Sequence, residues 1–179
     1  VMLVDMIDPV EKNVEHWMLE LEEAMRICIH DVMHKAIMDY SVTPRPKWMQ
    51  KHCGMTVLNG SQMHWTQEME TLFANEGAQG PKTFYEQQVL QLADMTVLVR
   101  GKLSKAARTT VGALTVIDVH ARDVIKKLAD ADTDNKNDFG WTSQLRYYWI
   151  EDDLKAQMVA AKSNYGYEYL GNSFRLVIT

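Results

Sequence analysis

Five places in this chain carry residue types at spacings that could do chemistry. His30 and His34 sit four apart with Asp31 beside the first, close to the HExxH arrangement in which two histidines on one helical face hold zinc. Asp31 replaces the glutamate that would reach a bound water, and no third ligand is evident, so a polar helix face is the expected reading. Gly77, Gly80, Lys82 and Thr83 imitate a phosphate loop. Pro81 stands where a backbone N–H must close on the phosphates, which points instead to a turn and a helix start. Asp130, Asp132 and Asp134 match the opening ligands of a calcium loop. Asn135 then takes the place of the turning glycine and Trp141 that of the closing glutamate, so an acidic surface loop is expected. Asn59-Gly60-Ser61 has the form of a glycosylation sequon, expected to stay unmodified. Arg100, Lys102, Lys105 and Arg108 form a basic stretch without the interleaved aromatics that nucleic acid would want.

The segments that position these residues read mostly as helices. Val14, Met18, Leu21, Met25, Cys28, Val32 and Ala36 recur in steps of three and four, and Thr43-Pro44-Arg45-Pro46 ends that run. A second helix is expected over 47–75, passing through Asn59-Gly60 even though that dipeptide is a hairpin signal. Pro81 opens a third helix carrying Phe84, Val89, Leu92, Met95 and Val99, and Gly101 marks a bend. A fourth places Leu114, Ile117, His120, Ala121, Val124 and Leu128 on one stripe. After an acidic loop, a short aromatic helix is expected over 141–150. Beyond Asp153 the period changes to two, and a β-hairpin is expected in which LKAQMVAAK pairs with the Tyr165, Tyr167 and Tyr169 segment around Ser163-Asn164. The fold expected is mainly α: an elongated bundle of long amphipathic helices over 1–153 with a C-terminal β-hairpin over 154–179.

Composition agrees with a globular protein. The 179 residues are 46% hydrophobic and 24% charged with net charge -5, which disfavours nucleic acid as a partner. No apolar run approaches a membrane span, no signal segment opens the chain, and a cytosolic protein is expected. Cys28 and Cys53 are isolated, so neither a disulfide framework nor a zinc knuckle is indicated.

Taken together, VEHWMLELEEAM (14–25), LVRGKLSKAARTTVGALTVIDVHARDVI (98–125), WTSQLRYYW (141–149) and YGYEYLGNSFRLVIT (165–179) resemble the dynein heavy chains. The resemblance is to the C-terminal part of the linker region and the first residues of the first AAA+ module, and it covers nearly the whole chain in order. It implies a mechanical role: a helical arm lying across the AAA+ ring, whose bend follows ATP hydrolysis in the first module and drives minus-end-directed movement along microtubules. On this resemblance the chain runs into a truncated AAA+ module. Thr179 is then a cut, and Leu176, Val177 and Ile178 form a strand-like segment at the adenine end of the ATP pocket, the competing reading being a plain core strand. ATP and magnesium belong to the parent motor, and the fragment itself carries no catalysis and no metal. The implied partners are the ring of the same chain, the microtubule through other regions, and other dynein heavy, intermediate and light chains, with no nucleic acid and no membrane. LVIT and the DVHARDV run lean toward axonemal members, in the cilium, and Gly101 and the Gly77–Gly80 turn are the expected pivots. The competing reading is an autonomous helical module that binds a partner protein through aromatic clusters; a small metalloenzyme built on His30 and His34 is a more remote third.

Overall fold

The computed structural model describes residues 13–168. They divide into two compact units, a larger one of Lys35–Tyr165 and a smaller one made of 13–34 with 166–168. Helix α1, Val14–Tyr40, supplies 14–34 to the smaller unit and its last turns to the larger. In the smaller unit the ring of His30 meets that of Tyr167 edge-on at 5.1 Å.

The larger unit continues with α2 (Arg45–Lys51), α3 (Gly54–Glu76), a 3-10 turn (Gly77–Gln79), α4 (Gly80–Arg100), α5 (Lys105–Asp130) and α6 (Phe139–Thr142). An antiparallel sheet follows in the order β1 (Arg146–Ile150), β2 (Asp153–Met158), β3 (Ala161–Asn164). The mainly α reading with a C-terminal hairpin therefore holds, and Pro81 lies in the first turn of α4 as its missing N–H requires. Ser104 caps α5 by accepting from the Ala107 N–H at 3.1 Å.

Local details depart from the sequence expectation. The single helix expected over 47–75 is two helices. The chain leaves helical geometry at His52 (φ -102, ψ 158) and re-enters at Gly54, where Thr56 Oγ1 donates to the Cys53 carbonyl at 2.9 Å. Over 141–150 the expected aromatic helix is instead the end of α6 and strand β1. The run RYYWI is aromatic and β-branched, and the residues after it form a tight turn: Glu151 and Asp152 both have positive φ (53 and 58) and join Ile150 to its partner Asp153. The hairpin between β2 and β3 turns at Val159-Ala160, not at Ser163-Asn164, with Met158 opposite Ala161. Tyr165 and Tyr167 lie beyond the strands, and Tyr169 lies outside the described residues.

Asn59-Gly60 sits inside α3, as expected, and packing gives the reason. A Cβ on Gly60 would lie 3.2 Å from Cζ2 of Trp48, so the glycine lets the indole rest on the helix backbone. Trp48 is fully buried and its Nε1 donates to the Ala36 carbonyl at 2.8 Å. Around it lies one core cluster, with Met49, Val57, Met95, Val111 and Leu114. A second joins Met69, Phe73, Phe84, Ile125, Leu128 and Trp141. α3, α4 and α5 each contribute to both, so these three helices together carry the core of the unit.

Candidate functional site

Three sets of polar side chains bridge elements of the larger unit. Pro44 and Pro46 bracket Arg45 at the start of α2, and its guanidinium reaches into the helical body. Nη2 donates to Asp118 Oδ2 of α5 at 2.7 Å and to Ser61 Oγ of α3 at 2.9 Å, while Nη1 approaches the Met95 sulfur of α4 at 3.5 Å. One side chain thus touches three other helices. The side chains of Arg45 and Asp118 are only 13% and 14% exposed. Burial pushes the Asp118 carboxyl above the ordinary carboxylate range and the guanidinium pulls it back, the balance expected of a desolvated ion pair.

A second bridge fastens the sheet to α3. Tyr148 of β1 donates its hydroxyl proton to Glu70 Oε1 at 2.6 Å, Arg146 donates to the Tyr148 oxygen at 2.8 Å, and the Arg146 guanidinium lies 3.6 Å from Glu70. Arg146 is 4% exposed. Burial, reinforced by Glu70, raises the Tyr148 phenol and keeps it a donor. Nearby, Thr66 Oγ1 accepts from the Tyr147 N–H at 3.3 Å. The end of the chain's described course is tied down as well, because Asn59 Nδ2 donates to both the Met55 carbonyl and the Tyr165 hydroxyl.

A third cluster holds the end of α1 to α2. Asp39 Oδ2 meets His52 Nε2 at 2.8 Å and Lys51 Nζ at 2.9 Å, and Asp39 Oδ1 accepts from Thr43 at 2.8 Å. The hydrogen bond from His52, then those from Lys51 and Thr43, hold this carboxyl well below the usual range.

The residues singled out by sequence do not converge on these bridges. Leu176, Val177 and Ile178 lie outside the described residues. His30 has Asp31 at 3.6 Å, and among the described residues no group of three His, Cys, Asp or Glu side chains could hold a metal ion. At the start of α4, Lys82 pairs with Asp132 of the loop after α5 at 2.6 Å and Thr83 donates to Glu76 at the end of α3 at 2.8 Å, so both side chains make contacts within the fold. Asp130 is taken by Lys126 and Asp134 by Asn135, which leaves the three aspartates facing different partners. Asn59 is 9% exposed with its amide engaged inside the fold, so the sequon is buried. Of the basic stretch, Arg108 folds back onto the carbonyls of Val99 and Gly101, and Arg100, Lys102 and Lys105 are exposed. Sequence reading missed Arg45, Asp118, Glu70 and Arg146. The pairings Arg45–Asp118 and Glu70–Tyr148 span 73 and 78 positions, and no local pattern announces them.

Among the described residues no helix is long and apolar enough to cross a membrane. No protein-family model matches the chain. Curated relatives do. Dynein axonemal heavy chain 1 of Homo sapiens is 46% identical over 167 residues, 93% of this chain and 4% of that protein. Dynein axonemal heavy chain 12 of Rattus norvegicus is 44% identical over 166 residues, 93% of this chain and 5% of that protein. Dynein axonemal heavy chain 3 of Homo sapiens is 45% identical over 166 residues, again 93% of this chain and 4% of that protein. The chain spans about a twentieth of the length of each of these relatives. Identity at this level, continuous over nearly the whole chain, places it plainly: the chain belongs to the dynein heavy chain family and matches one segment of its axonemal members.

Proposed function

We propose that this segment is a force-transmitting part of the dynein linker, a lever that passes ATP-driven rearrangement of an AAA+ ring into movement along a microtubule in the ciliary axoneme. The observation that carries the reading is the Arg45 node. A lever must resist shear between its helices, and a buried guanidinium bonded to Ser61 and Asp118 and lying against Met95 couples four helices at one point. The Glu70–Tyr148–Arg146 bridge does the same between helix and sheet. In this reading the segment performs no catalysis. ATP and magnesium act in the parent motor, Leu176, Val177 and Ile178 lie at the adenine end of its nucleotide pocket, and the ring of the same chain and other dynein heavy, intermediate and light chains are its partners. Gly101, where α4 ends in extended backbone, and the turn at Gly77–Gly80 are the places where segments pivot.

The test is made in the full heavy chain. Replacing Arg45 and Asp118 together by Met and Leu removes the bonds and leaves no unpaired charge. Microtubule gliding should slow while ATP turnover per motor persists, because the lever softens and the engine does not. Unchanged gliding velocity with a folded segment overturns the lever role. Loss of a bound protein with gliding intact would favour the alternative, a helical interaction module.

A further inference from the structure

We propose that the cleft between α3 and α5 of the larger unit receives a lysine side chain of a partner protein. The cleft has a volume of about 210 Å³; Trp65, Ile117 and Leu145 form apolar walls, and Ser61 and Asp118 are polar members of the lining. Asp118 is the informative residue. Arg45 uses its Oδ2 alone, and Oδ1 has no hydrogen-bond partner while still touching solvent. Ser61 Oγ accepts one bond from Arg45 and keeps a second lone pair. Among the lining residues, Asp118 therefore keeps an unused acceptor oxygen.

Charge points the same way. Arg45 faces two carboxylates, Asp118 in direct contact and Glu68 across the neighbouring cleft on its other side. Two anions share one buried cation, and a further cation would complete the set. A single free carboxylate oxygen cannot take the two parallel bonds of a guanidinium, whereas it suits the compact ammonium of lysine. The four-carbon stem of lysine then covers the walls of Trp65, Ile117 and Leu145. The lining favours a protein over a free amine, because Leu145 is a 50% exposed apolar side chain that a neighbouring surface can cover. This proposal does not depend on the lever reading.

The experiment is acetylation footprinting of lysines in the intact heavy chain within its assembled complex, read by mass spectrometry. Wild type is compared with Asp118→Asn, which removes the charge, and Leu145→Trp, which fills the mouth of the cleft from an exposed position. We expect one lysine of another protein in the complex to be protected in wild type and to react roughly tenfold faster in both variants, the size of a lost partly buried ion pair. If no lysine gains reactivity in both variants, or if the one that does belongs to the heavy chain itself, the proposal falls. Should Asp118→Asn fail to fold, Leu145→Trp decides alone, since its side chain takes no part in the buried pair.

Discussion

Asn59 of α3 donates from Nδ2 to the hydroxyl of Tyr165 at 2.7 Å, across 106 positions of sequence. The bond closes the larger unit on itself, because Tyr165 follows β3 and its N–H also donates to the Leu154 carbonyl at 3.0 Å. Removing the phenol oxygen with Tyr165→Phe leaves Asn59 still bonded to Met55. The expected cost is therefore that of one ordinary hydrogen bond, about 1 kcal/mol, read as a lower urea midpoint at constant slope. A cost near zero would mean that water replaces the phenol without loss.

Asp118→Ala is the most damaging single change we expect at the helical node. It strands the Arg45 charge in a site where that side chain is 13% exposed, and the expected loss is about 3 kcal/mol by chemical unfolding. Arg45→Met combined with Asp118→Leu should recover most of it, since replacing both partners removes the uncompensated charge. A double variant no more stable than Asp118→Ala would show that packing, not charge, sets the cost.

Asp39 makes stability depend on acid. Its carboxyl is held below the ordinary value of 3.8 by His52, Lys51 and Thr43, so the unfolded chain takes up the proton first as pH falls. The contribution is complete above that value and is lost as pH drops below it. Urea midpoints between pH 6 and pH 2 should therefore fall less steeply in Asp39→Asn than in the parent. Parallel curves would remove Asp39 from the account.

Val159 turns the β2–β3 hairpin with φ of 53, a left-handed conformation that a β-branched residue adopts only under strain. Its side chain is 48% exposed, so little packing is at risk. Val159→Gly should stabilise by about 1 kcal/mol, seen as a higher melting temperature. A lower one would show that the valine contributes packing that outweighs its backbone strain.

Much of the helical body was legible in the sequence because periodicity is a local property. The step of three and four from Val14 to Ala36, the proline at the head of α4 and the long stripe of α5 each report on their own segment. The same locality explains the errors. Apolar residues on both sides of His52 continue one helical phase, and only the backbone at His52 and Gly54 shows the break. In 141–150 the aromatics satisfied a helical reading, and the strand emerged from pairing with β2, which lies beyond the window.

The kind of chain was written in the sequence itself: ordered tracts rich in tryptophan and tyrosine are long enough to identify a dynein heavy chain segment. Which charges matter was not. Arg45 looked like a residue between two prolines and Asp118 like one acid on a helix, and neither has a sequence neighbour that reveals the other. Burial decides their importance, because a charge costs little in water and a great deal where water is excluded, and only the packed helices determine which side chains lose their water together.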